Sequence, residues 1–409
     1  MDLLKEMFSG IFYFGSLQGL QSLAIYLIAG VLIYLAIAKE YEPALLLPIG
    51  FGALMANLPP VVYTVIRDNV EVVIKSASVI GIDEEKGFLR VLFDAGIANE
   101  LFPILIFIAI GAMIDFSPLL KNPFMIFFGA AAQFGIFATF LVALALMPVL
   151  GIENTDNLHL KLAAAIGIIG AADGPTTLYV AGLFELKEYL GPISVAAYSY
   201  MSLVPIIQPP VIRLLTSKNE RLIRMDYHED KVSQPIKIIF PIAITVISGI
   251  IVPMSVPLVG SLMFGNLIRE CGVLEKLSKS AQNELSSLVT ILLGLTIGST
   301  MVADKFIRLD TLVIMLLGLF AFVFDTAGGV LFAKFLNLFL KRKVNPMIGA
   351  AGISAFPMSA RVVQKMAKAE DPTNFVLMQS ISANVAGQLG SIVAGGLVIT
   401  LIMLLTTAS

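Results

Sequence analysis

An apolar run from residue 162 to residue 184 is interrupted near its centre by Asp173, Gly174 and Pro175. The run has the length of a membrane span, and the Gly-Pro pair breaks its helix in the middle. A carboxylate at mid-membrane costs about 2.5–3.5 kcal/mol on insertion scales, so such a residue stays only where something compensates it. An aspartate beside broken backbone at that depth reads as a cation site. The competing reading is a loop between two short helices, with Asp173 as the N-cap of the second.

The rest of the chain supports membrane depth. Of 409 residues, 57% are hydrophobic and only 14% charged, and the mean hydropathy is +0.91. A soluble domain is about a quarter charged. The chain is therefore read as a multi-pass, all-α membrane protein in contact with lipid, long enough for about ten or eleven spans of roughly 20 residues. A net charge of −2 without a basic face gives no reason to expect a nucleic-acid partner. The single cysteine, Cys271, excludes an internal disulfide, and His159 and His228 are too far apart in sequence to suggest a metal cluster. Residues 1–10 lack a basic segment leading into an apolar core, so no cleaved signal is expected.

Four regions follow from the pattern: an N-terminal membrane or interfacial segment (1–85), a first membrane repeat (86–212), a linker loop (213–237) and a second membrane repeat (238–409). Residues 1–19 look amphipathic and interfacial. Residues 20–38 form a clean span, 44–62 an apolar stretch interrupted by prolines and glycines, and 67–86 a polar connection. Residues 88–97 are short and carry Arg90 and Asp94; spans follow at 101–116 and 124–150. The segment 192–215 contains Pro205, Pro209 and Pro210 and is expected to kink. The linker carries Arg213, Lys218, Arg221, Arg224, Lys231 and Lys237, which places it on the cytoplasmic side under the positive-inside rule. Apolar segments at 236–256, 286–302, 312–340, 347–360 and 375–405 make up the second half. The last is too long for one straight span and contains Gly387, Gly390, Gly395 and Gly396.

The halves match weakly. Asn99-Glu100-Leu101 recurs as Asn283-Glu284-Leu285, and Gly167, Gly170 and Pro175 align with Gly349, Gly352 and Pro357. A repeated unit with an odd number of spans is inverted in the membrane, and paired broken helices then place a site near the midplane. Shared apolar composition is the competing explanation of the matches. In the second stretch, residues 345–361, Gly349 and Gly352 permit close backbone approach. Pro357 frees carbonyls to coordinate a cation, and Ser354 and Ser359 add hydroxyl oxygens. Arg361 repels Na+ but suits an anionic carboxylate; otherwise it is an ordinary snorkelling arginine. Tyr198 and Tyr200 fit an interfacial belt, and at i and i+2 they face different sides of a helix. Asn384, deep in an apolar run among Ala386, Gly387, Gly390 and Ser391, reads first as helix–helix glue and second as a ligand.

Together these stretches resemble one family: the beta subunits of the sodium-pumping, biotin-dependent decarboxylases acting on oxaloacetate, glutaconyl-CoA, methylmalonyl-CoA or malonate. The resemblance rests on Gly-Ala-Ala-Asp-Gly-Pro-Thr (170–176), Tyr-Ser-Tyr-Met-Ser-Leu-Val-Pro-Ile-Ile-Gln-Pro-Pro (198–210) and Gly-Asn-Leu-Ile-Arg-Glu-Cys-Gly-Val (265–273). It also rests on residues 345–361 and 383–391, and extends from Leu-Leu-Leu-Pro-Ile-Gly-Phe-Gly (45–52) to the C-terminus. It implies a primary Na+ pump in the inner membrane, built of inverted repeats with an elevator-transporter-like fold and assembled as a trimer. A carboxyltransferase alpha subunit, a biotin carrier and a small gamma or delta membrane subunit are the implied partners. This chain would decarboxylate carboxybiotin, export Na+ and take up a proton from the outer side. The family's site residues match Asp173, Tyr198, Tyr200, Asn345, Gly349, Ser354, Arg361 and Asn384.

The residue types agree with these roles. Asp173, Asn384, Ser354 and Tyr200 offer the hard oxygens that Na+ prefers, and a carboxylate offsets the ion's desolvation. Arg361, Asn345 and Gly349 are assigned to carboxybiotin, and Asp173, Tyr198, Tyr200, Asn345 and Arg361 to the decarboxylation itself. A secondary Na+-coupled transporter of a small organic anion is the alternative, because broken repeats around an acidic midplane residue fit it equally. A non-catalytic membrane scaffold would not need the intramembrane polar residues.

Overall fold

The computed structural model describes residue 11 and residues 13–59, 62–67, 70–75, 87–186, 188–225 and 231–407. Most of the interfacial stretch expected at 1–19 lies outside the described residues, as do 76–86 of the polar connection and 226–230 of the linker. The described chain is helical apart from one antiparallel ribbon, β1 (Val62–Arg67) with β2 (Val70–Lys75). Its valines, isoleucines and threonine are residues that favour a pleated backbone.

Among the described residues, five helices are long and apolar enough to cross a membrane: α1 (Leu17–Ala38), the segment Pro123–Leu146, α10 (Gln234–Ile251), α13 (Leu309–Phe339) and α16 (Leu377–Thr407). Two bent pairs raise the number to seven: Phe88–Ala98 with α3 (Leu101–Met113), bent by 63°, and α8 (Leu190–Ser202) with α9 (Val204–Leu215), bent by 68°. The second bend lies between Ser202 and Val204, just before Pro205, so the expected kink is present. The described residues thus show up to seven of the ten or eleven expected spans, and the remaining apolar segments form shorter helices. They include α2 (Pro43–Ala56), α11 (Val256–Glu270) and α12 (Ser286–Ser299), and two hairpins that turn back at their tips. The segment expected to be too long for one straight span forms the single 31-residue helix α16 (Leu377–Thr407). A glycine costs a helix only about 1 kcal/mol, which packing readily offsets.

Glycines set two close helix crossings. A Cβ at Gly52 on α2 would strike the Leu295 carbonyl of α12, and one at Gly298 on α12 would strike the Ile49 carbonyl. The same relation joins Gly111 of α3 to Leu262 of α11, and Gly265 to Ile108. Each crossing is locked by a buried asparagine. Asn57 donates to the Met301 carbonyl at 2.7 Å, and Asn266 donates to the Ile114 carbonyl at 3.0 Å. Turns of π-helix precede both Asn99 (Phe93–Ala98) and Ser286 (Ala281–Leu285), in the two places where Asn-Glu-Leu recurs.

The segment Pro123–Leu146 is divided at Gln133 into α4 (Ile126–Ala132) and α5 (Phe134–Leu146). The first hairpin follows, α6 (Leu158–Ile169) and α7 (Gly174–Leu183) joined by residues 170–173. Its open end, with Leu158 on one arm and Leu183 on the other, lines a cavity of about 530 Å³. The second hairpin runs from Asn345 through the single turn α14 (Met347–Ala350) to a tip near Ser354. It returns along α15 (Met358–Glu370). Its open end meets the linker: Asn345 donates to the carbonyls of Arg221 and Ile223, and Glu370 pairs with Arg221 at 2.7 Å.

The contacts of α16 order the two hairpins. Gln379 reaches Met225 of the linker, Asn384 meets Ile353, Ser391 meets Asp173, and Gly395 lies against Thr176 and Ile168. The hairpins therefore enter from opposite ends of α16 and meet beside its middle.

Candidate functional site

The tips are joined by backbone. The Ser354 N–H donates to the Ala171 carbonyl at 2.9 Å. Between the tips lies Asp173, 3% exposed. It is the N-cap of α7: its Oδ1 accepts from the Thr176 N–H at 3.2 Å, and its main-chain carbonyl accepts from the Thr177 hydroxyl at 2.9 Å. The capping reading and the broken-helix reading thus describe one arrangement, because the cap lies at the break. Its other oxygen, Oδ2, accepts from Ser391 Oγ at 2.7 Å and from Gln388 Nε2 at 3.4 Å, both on α16. The Ser391 hydroxyl also hydrogen-bonds to Ser354 Oγ, so both hairpin tips and α16 share one polar cluster.

Ser354 donates further to the Gly387 carbonyl at 3.2 Å. Asn384, fully buried, gives its amide hydrogen to the Ile353 carbonyl at 2.6 Å, while its Oδ1 has no hydrogen-bond partner among the described residues. It is helix–hairpin glue through its nitrogen and an available ligand through its oxygen. Tyr198 packs its ring on Gly174, where an added Cβ would fall 2.5 Å from Cε1 and Cζ. Its buried hydroxyl also lacks a partner among the described residues. A junction with a carboxylate, an amide oxygen, a phenol and serine hydroxyls can hold a hard monovalent cation, the chemistry read from the sequence.

Other expected residues lie elsewhere. Tyr200 donates to the Met315 carbonyl of α13 at 2.5 Å and packs on Gly318, away from Asp173. Asn345 is fully engaged: its nitrogen serves two linker carbonyls, each at 2.9 Å, and its oxygen accepts from the Met347 N–H at 3.1 Å. Gly349 lies where α14 crosses α13, its α-carbon so near the Gly329 carbonyl that a side chain has no room. Arg361, in the first turn of α15, is exposed, and its side chain makes no hydrogen bond or ion pair among the described residues. Glu42, at the N-terminus of α2, is within electrostatic reach of it.

Sequence reasoning missed Gln388 and the direct role of Ser391. Ser391 was grouped with small packing residues, yet it lies seven residues after Asn384, two turns along the same helix face. Gln208 and Ser359 were also missed as a pair. Gln208 Nε2 donates to Ser359 Oγ and to the Ala350 carbonyl, both at 2.7 Å, bracing the second hairpin from α9.

The family model for the Na+-transporting oxaloacetate decarboxylase beta subunit matches residues 21–402. The chain is 46% identical to the methylmalonyl-CoA decarboxylase subunit beta of Propionigenium modestum, over 93% of this chain and 94% of that protein. It is 43% identical to the oxaloacetate decarboxylase beta chain 2 of Salmonella typhi, over 96% and 97% respectively. Identity to the methylmalonyl-CoA decarboxylase subunit beta of Veillonella parvula is 46%, over 93% of each. Matched by the family model over residues 21–402 and 43–46% identical to these relatives over more than nine-tenths of its length, the chain belongs to the decarboxylase beta-subunit family.

Proposed function

We propose that this membrane subunit is the carboxybiotin decarboxylase and Na+ translocase of a biotin-dependent decarboxylase complex. Asp173 is the Na+ ligand at its centre. The observation that carries the reading is the convergence on Asp173 Oδ2 of Ser391 and Gln388 from a long helix, with Ser354 of the opposite hairpin one hydrogen bond away. The ion would be held by Asp173, Ser354 and Asn384, whose Oδ1 is unpaired among the described residues. Tyr200 is bound to Met315, so Tyr198 is the tyrosine nearer this task.

Carboxybiotin on a partner subunit supplies, when bound, a labile carboxylate that leaves as CO2. Arg361 fits that carboxylate because it is exposed and unengaged among the described residues, and a guanidinium binds such a group through two N–H donors. Asn345 and Gly349 position the hairpin that carries Arg361. The proton consumed after CO2 loss would pass through the Tyr198 hydroxyl or the Asp173 carboxyl. Opposed hairpins, the paired glycine crossings and the two buried asparagines support an inverted repeat, with elevator-like motion as its use. The basic linker would face the cytoplasm and the carboxyltransferase and biotin carrier. The biotin carrier, alpha subunit, small gamma or delta subunit and a homotrimer of this chain complete the proposed inner-membrane assembly.

The test is the Na+ dependence of carboxybiotin decarboxylation by this chain purified with its membrane partners. Na+-stimulated CO2 release is the expected result. Na+-coupled uptake of an organic anion by the isolated chain, without CO2 release by the complex, would favour a secondary transporter instead.

A further inference from the structure

The 31-residue helix α13 packs against both hairpins, and its contacts fix where along it the junction lies. Tyr200 binds at Met315, Gly170 of the first hairpin packs on Ala321, Gly349 of the second packs on Gly329, and Lys334 pairs with Glu220 of the linker at 3.2 Å. Asp325 lies between the two hairpin contacts, one turn from each, at the depth of the tips. It is fully buried. Its Oδ1 accepts from the Ile136 N–H at 3.1 Å, just past the break that separates α4 from α5. Its Oδ2 has no partner among the described residues.

Capping the start of α5 explains one oxygen of Asp325 and leaves the other. Two hydroxyls close in sequence to these contacts are also buried without partners among the described residues: Thr326, the next residue, and Thr139, one turn after Gly135, whose α-carbon abuts Asp325. Among the described residues, no Lys, Arg or His pairs with Asp325. A lone carboxylate in a span is costly, and such residues mark ion pathways. Hydroxyl and carboxylate oxygens are hard donors suited to Na+.

We propose that Asp325 is the anionic ligand of a second Na+ site, on the α13 side of the junction, completed by the hydroxyls of Thr139 and Thr326. The proposal rests on the reading of this chain as a Na+ translocase. Asp173 and Asp325 then flank the two hairpin tips, one beside α16 and the other on α13. A cation at each would carry the ion across the junction in two steps.

The experiment uses the full complex in proteoliposomes and measures labelled Na+ transported per CO2 together with the Na+ concentration giving half-maximal decarboxylation. Asp325→Asn keeps the oxygen that accepts from Ile136 and places a donor where the cation would be. It is expected to lower Na+ per CO2 and to raise half-saturating Na+ by roughly tenfold, the scale of one lost charge-assisted contact. Thr139→Val, which removes only a hydroxyl, is expected to raise half-saturating Na+ by a smaller factor and serves if Asp325→Asn fails to assemble. Unchanged Na+ stoichiometry and half-saturation in an assembled Asp325→Asn complex would reduce Asp325 to a helix cap and overturn the site. So would an unchanged Na+ curve for Thr139→Val where only that variant assembles. Na+-independent turnover of the wild type would instead bring down the functional reading, and this site with it.

Discussion

Asp173 and Ser391 lie 218 residues apart in sequence and share a 2.7 Å hydrogen bond in the buried middle of the molecule. That bond ties the cap of a half-length helix to a continuous one, and the same serine reaches Ser354 on the opposite hairpin. Any movement of one hairpin along α16 must break or exchange it. On the proposed reading, a bound cation would offer the carboxylate a replacement partner and so couple ion occupancy to the position of the hairpins.

Ser391→Ala removes this donor while leaving Asp173 in place. Half-saturating Na+ for decarboxylation is expected to rise by about tenfold, the scale of a hydrogen bond to a charged group. A Na+ titration of CO2 release checks it, and an unchanged curve would remove Ser391 from the ion site.

Arg361→Ala is expected to weaken the use of carboxybiotin more than Na+ binding. The rate at fixed, subsaturating carboxybiotin should fall by about a hundredfold, as for loss of a bidentate charged contact. Equilibrium binding of labelled Na+ should change little. Equal loss of both would assign Arg361 a structural role.

Gly349→Ala and Gly30→Ala should differ in sign. At Gly349 the methyl group meets the Gly329 backbone carbonyl, which cannot rotate away, whereas at Gly30 an added Cβ meets nothing within 4 Å. The first is expected to destabilise by about 1–3 kcal/mol through overpacking. The second is expected to be neutral or stabilising by up to about 1 kcal/mol through helix propensity. Thermal unfolding in detergent of the two variants measures the contrast.

The linker's attachment has its own pH dependence. Hydrogen bonds from Thr373, then the Arg224 guanidinium at 2.6 Å, hold the Asp371 carboxyl down to about 2. A carboxyl whose folded value lies below its unfolded one contributes stability above about pH 4, and this contribution is lost as pH falls toward 2. Hydrogen exchange of residues 217–225 is therefore expected to be flat from pH 7 to pH 5, after correction for the intrinsic rate. Added opening should appear only in acid. Asp371→Asn should remove that acid-dependent step.

The broken helix at Asp173, the bend before Pro205 and the second glycine-rich hairpin were legible because each rests on a local rule: proline breaks, glycine permits approach, charge is rare at depth. What was not legible is long-range. Ser391 looks like a packing residue until Asp173 is placed beside it, and Asn345 looks like a ligand until the linker carbonyls occupy all its donors. Asp325 passed as part of an apolar run, since its own neighbours Phe324, Thr326 and Ala327 say nothing about the break at Gln133 that it caps. The continuity of α16 was missed for the opposite reason. Its glycines do not break the helix; Gly387 lets it touch the Gly352 backbone.

Na+ accumulation in proteoliposomes driven by decarboxylation, compared between the wild-type complex and Asp173→Asn, tests the central claim most directly. The asparagine keeps an oxygen to accept from Thr176, loses the charge, and puts an amide donor where Oδ2 accepts from Ser391 and Gln388. The account predicts accumulation by the wild type and none by an equally assembled Asp173→Asn complex. Accumulation by that variant at the wild-type rate would contradict it.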